Sequence, residues 1–124
     1  MNTIILSAGN VSLTAELNDS PTAQQIWQAL PIEGKANRWG DEIYLEIPVK
    51  AGQEPDAREQ VEVGELGYWP VGHAFCIFFG PTPVSTDERP RAYSPVNILG
   101  RVIGDATRFR AVKVGMRVQI IRAD

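Results

Sequence analysis

Residues 61–85 read VEVGELGYWPVGHAFCIFFGPTPVS, and this stretch decides the fold class. Leu66 to Pro70 and Ala74 to Phe79 are short apolar and aromatic runs punctuated by glycine and proline, the pattern of strands. The second run is a strand's length, far below the roughly 20 apolar residues that span a bilayer. On a strand, Phe75, Ile77 and Phe79 share one face, and Cys76 and Phe78 share the other, because side chains alternate with period two. In a barrel one set fills the interior and the other meets a covering helix or an external groove. The alternation leaves open which parity faces the groove.

The stretch also holds the chain's only histidine, His73, and only cysteine, Cys76. Three apart on a strand, they point to opposite faces, so they read as scaffold and not as a base and its nucleophile. A lone histidine completes no typical zinc set. No metal and no cofactor are expected. Gly64, Gly67, Gly72 and Gly80 read as turn and close-approach glycines, since no Lys-Ser/Thr follows to build a phosphate loop.

Working toward the N-terminus, Ile43, Leu45 and Ile47 alternate with Glu42, Tyr44 and Glu46, a half-buried strand that ends at Pro48. Glu42 and Glu46 lie on one face of it and read as solvated surface, not as a glycosidase pair held across a cleft. Asn18-Asp19-Ser20-Pro21 predicts a helix start, with Ser20 as cap and proline at the first helical position. Ala23, Ile26, Trp27 and Leu30 fall on one face, and Pro31 stops the helix, giving a span of about 21–30. Thr3 to Ser7 and Val11 to Leu17, around Ala8-Gly9-Asn10, predict a hairpin with one buried face.

Toward the C-terminus, the polar KAGQEPDAREQVEVGE reads as an excursion with a weak strand near Val61 to Val63. PTPVSTDERPRAYS reads as a long loop, followed by a strand from Val96 to Ile103. A short amphipathic helical turn is expected at about 105–112, and a last strand from Met116 to Ile121. Many short strands with one good helix favour a mainly β fold, a closed barrel or strongly bent sheet.

The 124 residues fit one domain, 1–124, large enough to bury a real core. With 15 acidic against 12 basic residues, the net charge of −3 gives no broad attraction for nucleic acid, so no nucleic-acid partner is expected. One cysteine excludes an internal disulfide, and MNTIILSAGNVS lacks the pattern of a secretory signal. The default expectation is a cytoplasmic protein with no membrane partner.

Several residues are candidates for a binding groove. Trp39, Tyr44, Tyr68 and Trp69 suit an aromatic groove for a proline-containing segment, or equally barrel packing and end closure. Thr82, Ser94 and Asn97 can offer hydroxyl and amide groups to a ligand backbone, with turn formation the alternative for the first two. The loop DERPR at 87–91 would border such a groove.

Three segments resemble pieces of the cyclophilin fold, in the same order. AELNDSPTAQQIWQAL (15–30) resembles its first strand and helix, HAFCIFF (73–79) its phenylalanine-rich central strand, and VNILGRVIGD (96–105) the strand with a phenylalanine-glycine-basic-valine signature, here with Leu99 in place of phenylalanine. RWGDEIYLEIPV (38–49), the stretch 61–85 and SPVNILGR (94–101) are similar to phrases shared by a short prokaryotic group of cyclophilin-like proteins. The resemblance implies a closed eight-stranded barrel with helices at its ends. It also implies a groove on the outer side of the Phe75 to Phe79 strand, with Trp39, Tyr44, Phe75, Cys76, Phe78, Thr82, Pro83, Tyr93 and Asn97 as its candidate residues.

Cyclophilins are peptidyl-prolyl cis/trans isomerases that use an arginine near the prolyl nitrogen. Here Asn37-Arg38-Trp39-Gly40 stands where the family carries Phe-His-Arg, so Arg38 is the candidate catalytic donor, acting on a twisted amide without covalent step or cofactor. The expectation is a protein that binds a peptide or small-molecule ligand, with weak isomerase activity at most. The alternative is a non-catalytic interaction or structural module, such as a homo-oligomer built through a sheet edge or aromatic patch.

Overall fold

A computed structural model describes residues 2–123. The predicted hairpin is present as β1 (Asn2–Ala8) and β2 (Val11–Leu17), paired from Asn2↔Leu17 to Ala8↔Val11. Its alternation buries Ile4, Leu6, Ala15 and Leu17. Helix α1 (Pro21–Ala29) follows as its cap residues dictate: the Ser20 hydroxyl accepts the Ala23 N–H at 3.2 Å, and Pro21 occupies the first turn, where its missing donor costs nothing. Thr22, Ala23 and Ile26 are its buried face.

Beyond α1 lie β3 (Ile32–Lys35), β4 (Asn37–Arg38) and β5 (Glu42–Glu46), then β6 (Arg58–Gln60), β7 (Glu65–Trp69) and β8 (Ala74–Phe78). The 13-residue β9 (Arg91–Ile103), a 3-10 helix (Ala106–Ala111) capped by Asp105, and β10 (Arg117–Arg122) complete the described chain. All pairings are antiparallel, in the order β3-β10-β1-β2-β9-β7-β8-β5-β4, with β6 added to β9.

Three expectations need correction. The first is closure: the fold is mainly β and strongly curled, but the hydrogen-bonded ladder does not close, and it has ten strands among the described residues instead of eight. Its two ends, β3 and β4, are consecutive in the chain and joined through Ala36. At this seam β3 packs on β5 without pairing. A Cβ on Gly34 would come within 2.9 Å of Leu45 Cδ1, so the contact is made by packing instead of backbone hydrogen bonds. The second is β9, which begins five residues before the expected Val96, inside the predicted loop. The third is the weak strand near 61–63, which lies at β6 instead, with Val61 buried just after it.

The curled sheet encloses a core that includes Leu6, Ile26, Ile43, Leu45, Leu66, Tyr68, Phe75, Ile77, Phe79, Phe109 and Ile120. A second, smaller cluster lies on the other face of the same strands: Val61, Ala74, Cys76, Phe78, Ala92 and Val96. β8 is therefore buried on both faces along its whole length. The parity question is answered by this division, with 75, 77 and 79 inward and 74, 76 and 78 outward. No helix among the described residues is long and apolar enough to cross a membrane.

Candidate functional site

The outer cluster carries a cavity of about 220 Å³, lined by Trp39, Glu42, Tyr44, Trp69, Ala92, Tyr93 and Val96. Even-numbered residues of β5 point outward like those of β8, since Glu42 pairs with Phe78 and Tyr44 with Cys76. β7 adds Trp69 opposite Ala74, and β9 supplies Ala92, Tyr93 and Val96. Below this lining, Cys76 and Phe78 form the supporting layer.

Local structure fixes the walls. Trp39 sits in the turn between β4 and β5, with its N–H donating to the Glu42 carbonyl at 3.0 Å. That turn needs Gly40, whose φ is +61° and whose missing Cβ would sit 2.9 Å from Thr82 Cα. Thr82 in turn donates its N–H to Ser85 Oγ at 2.9 Å and its hydroxyl to the Arg91 carbonyl, tying the 80–90 loop to the start of β9. This brings Tyr93 over the pocket. The Trp69 indole N–H donates to Ser94 Oγ at 2.6 Å, which orients that ring as well.

The four rings form an unbroken series of edge-to-face contacts. Trp39 and Tyr93 have centroids 6.0 Å apart at 78°, Tyr93 and Trp69 6.3 Å at 85°, and Trp69 and Tyr44 6.5 Å at 75°. Tyr93 is the outer wall, 72% exposed.

Glu42, expected at the surface, is only 6% exposed, which overturns that reading. Burial pushes its carboxyl from an ordinary 4.5 up to about 7, partly offset by a hydrogen bond from the Cys76 thiol. The same burial, with the charge and hydrogen bond of Glu42, holds the Cys76 thiol well above its usual range. Cys76 Sγ also lies 3.8 Å from the Ala74 carbonyl, a weak thiol contact of its own. The carboxylate is thus poorly matched within the protein and lines an open cavity.

The other sequence candidates divide clearly. Trp39, Tyr44 and Tyr93 line the cavity, and Cys76 and Phe78 lie beneath it. Phe75 belongs to the inner core, on the opposite face of β8. Thr82 shapes the loop, and exposed Pro83 packs beside Gly40. Asn97 is fully buried elsewhere: Oδ1 accepts the Glu54 N–H at 2.8 Å, and Nδ2 donates to Thr22 Oγ1 at 3.0 Å and the Gly52 carbonyl at 2.9 Å. Tyr68 is core, with its hydroxyl on the Val49 carbonyl at 2.6 Å. His73 lies in a turn, with φ +50°, and not on the strand.

Arg38 faces away from the cavity lining. Its Nε and Nη2 donate to the Gly40 carbonyl at 3.1 and 3.0 Å, Nη1 to the carbonyls of Arg110 and Val112 at 3.3 and 2.8 Å, and Nη2 to Asp41 Oδ1 at 3.4 Å. These five contacts match the five donors of a guanidinium. Its Cζ lies 5.1 Å from the Phe79 ring centroid. Arg38 therefore joins the β4–β5 turn to the 3-10 helix, and no arginine, lysine or histidine lines the pocket.

A curled antiparallel sheet with one capped helix and an outer aromatic pocket defines a cyclophilin-type fold. Residues 2–121 match the model of the Cyclophilin-like family, and the chain belongs to that family. The solution structure of a hypothetical protein from Archaeoglobus fulgidus is 36% identical, with a TM-score of 0.83, covering 98% of this chain and 95% of that one. McbB, in a structure complexed with tryptophan, is 18% identical with a TM-score of 0.72, covering 96% of this chain and 44% of its own; that likeness concerns the fold alone. No curated protein matches the sequence.

Proposed function

We propose that this chain binds a small molecule, or one side chain of a peptide, in the pocket on the outer face of β5, β8, β7 and β9. The reading rests on one observation above all: four aromatic rings held edge to face around a nearly buried carboxylate, in a cavity that the packing leaves open. A domain that needed only stability would gain by filling this space with apolar side chains, since burying a carboxyl group is costly. At about 220 Å³ the cavity is below the roughly 300–1,000 Å³ of drug-sized sites, so the occupant has few heavy atoms or is the tip of something larger.

Prolyl isomerisation is the less favoured activity. A twisted prolyl amide needs a donor aimed at it, whereas the donors of Arg38 are engaged by carbonyls and Asp41 and the Trp69 N–H is engaged by Ser94. In a protease-coupled proline-peptide assay the wild type is expected to run at the background rate. Turnover abolished by Arg38→Ala would restore the enzyme reading.

Indole N–H resonances test the binding reading directly. Of the three tryptophans, Trp39 and Trp69 line the pocket, while Trp27 lies under Arg122, with the guanidinium 4.5 Å from its ring centroid, and serves as the internal control. A screen of small cations, neutral molecules, anions and proline peptides should yield at least one compound that moves Trp39 and Trp69 and leaves Trp27 in place. If none does, the pocket is not a binding site, and a structural module remains, to be sought by light scattering.

A further inference from the structure

We propose that the pocket is a receptor for an organic ammonium, a positively charged nitrogen carrying small apolar substituents, held between the rings of Trp39, Tyr44, Trp69 and Tyr93 and countered by Glu42. The proposal rests on the binding role proposed above and names the ligand class of that same site.

Aromatic faces carry the negative end of a quadrupole, so a ring of them attracts a cation and repels an anion, most strongly when the cation is weakly hydrated. Here the rings belong to one enclosure, each about 6 Å from the next and steeply inclined to it. Glu42 adds a formal counter-charge from the floor, at 6% exposure and with only a thiol to satisfy it. An anionic ligand would meet the carboxylate with no cationic side chain in the lining to offset it. A neutral one would leave the carboxylate as poorly matched as before.

A metal ion does not fit the same donors. Among the described residues no group of three His, Cys, Asp or Glu side chains converges, and one carboxylate with aromatic walls supplies too few oxygens for a hard cation. A bulky ammonium needs few donors and uses the apolar surface of Ala92 and Val96 for its substituents.

Titration of the site follows from its surroundings. The groups that face Glu42 are the Cys76 thiol from β8, Tyr44 from its own strand, Tyr93, Ala92 and Val96 from β9, Trp69 from β7, and Trp39 from the preceding turn. Burial and the neighbouring Glu42 hold the Cys76 thiol above its usual range. Because burial raises the carboxyl to about 7, the counter-charge is present above that pH and is lost as pH falls through it. Ammonium affinity should therefore decline from pH 8 to pH 5.5.

The test compares choline with 3,3-dimethylbutan-1-ol, which has the same shape without the charge, using calorimetry and the Trp39 and Trp69 indole resonances at pH 8. Choline should bind at least about tenfold more tightly than the neutral alcohol. Glu42→Gln should remove most of that preference and flatten the pH profile. Tyr93→Ala, a change at an exposed position that cannot compromise the core, should weaken choline several-fold even if Glu42→Gln folds poorly. A trimethyllysine peptide run in parallel tells the sources apart: tighter binding than choline marks a protein side chain as the natural form, weaker binding a free small amine, and either supports the ligand class. Equal affinity for the alcohol, or indole shifts produced by neutral or anionic compounds but not by choline, overturns the ammonium proposal and leaves the binding role standing. Absence of any shift with any compound overturns both.

Discussion

Glu42 stands directly opposite Phe78 in the antiparallel ladder between β5 and β8, so a carboxylate shares the outer face of the sheet with a fully buried phenyl ring. This pairing explains why a residue in an ordinary strand alternation is no longer ordinary. Its neighbours on that face are Cys76 and Tyr44, and the turn at Trp39 and the start of β9 cover it from above.

Stability should carry the mark of this carboxyl. Its value is about 7 in the folded chain against an ordinary 4.5, so between those limits the folded state holds a proton that the unfolded state has released. Stability is then fully present below pH 4.5 as far as this group is concerned, and is lost as pH rises through 7, by about 3 kcal/mol in all. Urea denaturation at pH 5 and pH 8 should show the difference, and Glu42→Gln should reduce it. A slope that is identical in wild type and variant would show that Glu42 is not the group responsible.

Arg38 should matter for folding and not for ligand affinity. Arg38→Ala removes the bridge from Gly40 to the Arg110 and Val112 carbonyls and uncovers the Phe79 ring, at a cost of about 2 kcal/mol. Arg38→Lys should recover little of this, because a point charge cannot reproduce a forked donor. Thermal melts measure the loss. A variant as stable as wild type would refute the bridging role.

Asn97→Ala breaks a buried network. The side chain satisfies the Glu54 N–H and the Gly52 carbonyl and joins Thr22 of α1, whose N–H and hydroxyl both donate to the Glu54 carboxylate. Truncation leaves several groups without partners at once, and about 2–3 kcal/mol should be lost. Hydrogen exchange at the Glu54 amide should rise more than at the β1–β2 hairpin. Uniform exchange would contradict a local role.

Gly100→Ala should be the most damaging small change in the sheet. Gly100 has φ +149°, and a Cβ there would collide with the Glu16 carbonyl oxygen across the β2–β9 ladder. Backbone would have to move to admit it, at a cost of at least about 3 kcal/mol. Soluble yield and the urea midpoint check this, and a midpoint near wild type would show that the strands can separate there.

Much of the fold is legible residue by residue. Val11 to Leu17 alternates strictly, and its strand occupies those residues. Ser20-Pro21 opens α1 where a cap and a proline would place it. The 3-10 helix at Ala106–Ala111 lies within the amphipathic turn expected at 105–112. What escapes is short or composite. β3 and β4 have four and two residues, too few to show a period. The first part of β9 contains Tyr93, Ser94 and Pro95 and reads as loop, because its pairing is with β6, itself polar and three residues long.

Sequence by itself determined the strand-rich fold, the capped helix and the family, since each rests on local periodicity, turn chemistry or ordered phrases. The parity of β8, the open seam between β3 and β5, and the burial of Glu42 were decided only in three dimensions. All five residues of β8 are buried, so alternation carries no signal for which side is core. A strand's pattern records which residues are apolar, but not what the rest of the chain later folds over them. Glu42 is written like a solvent-facing glutamate. Gly40, Thr82 and the start of β9 bring Trp39 and Tyr93 over it, and only that long-range closure turns a surface carboxylate into the floor of an aromatic pocket.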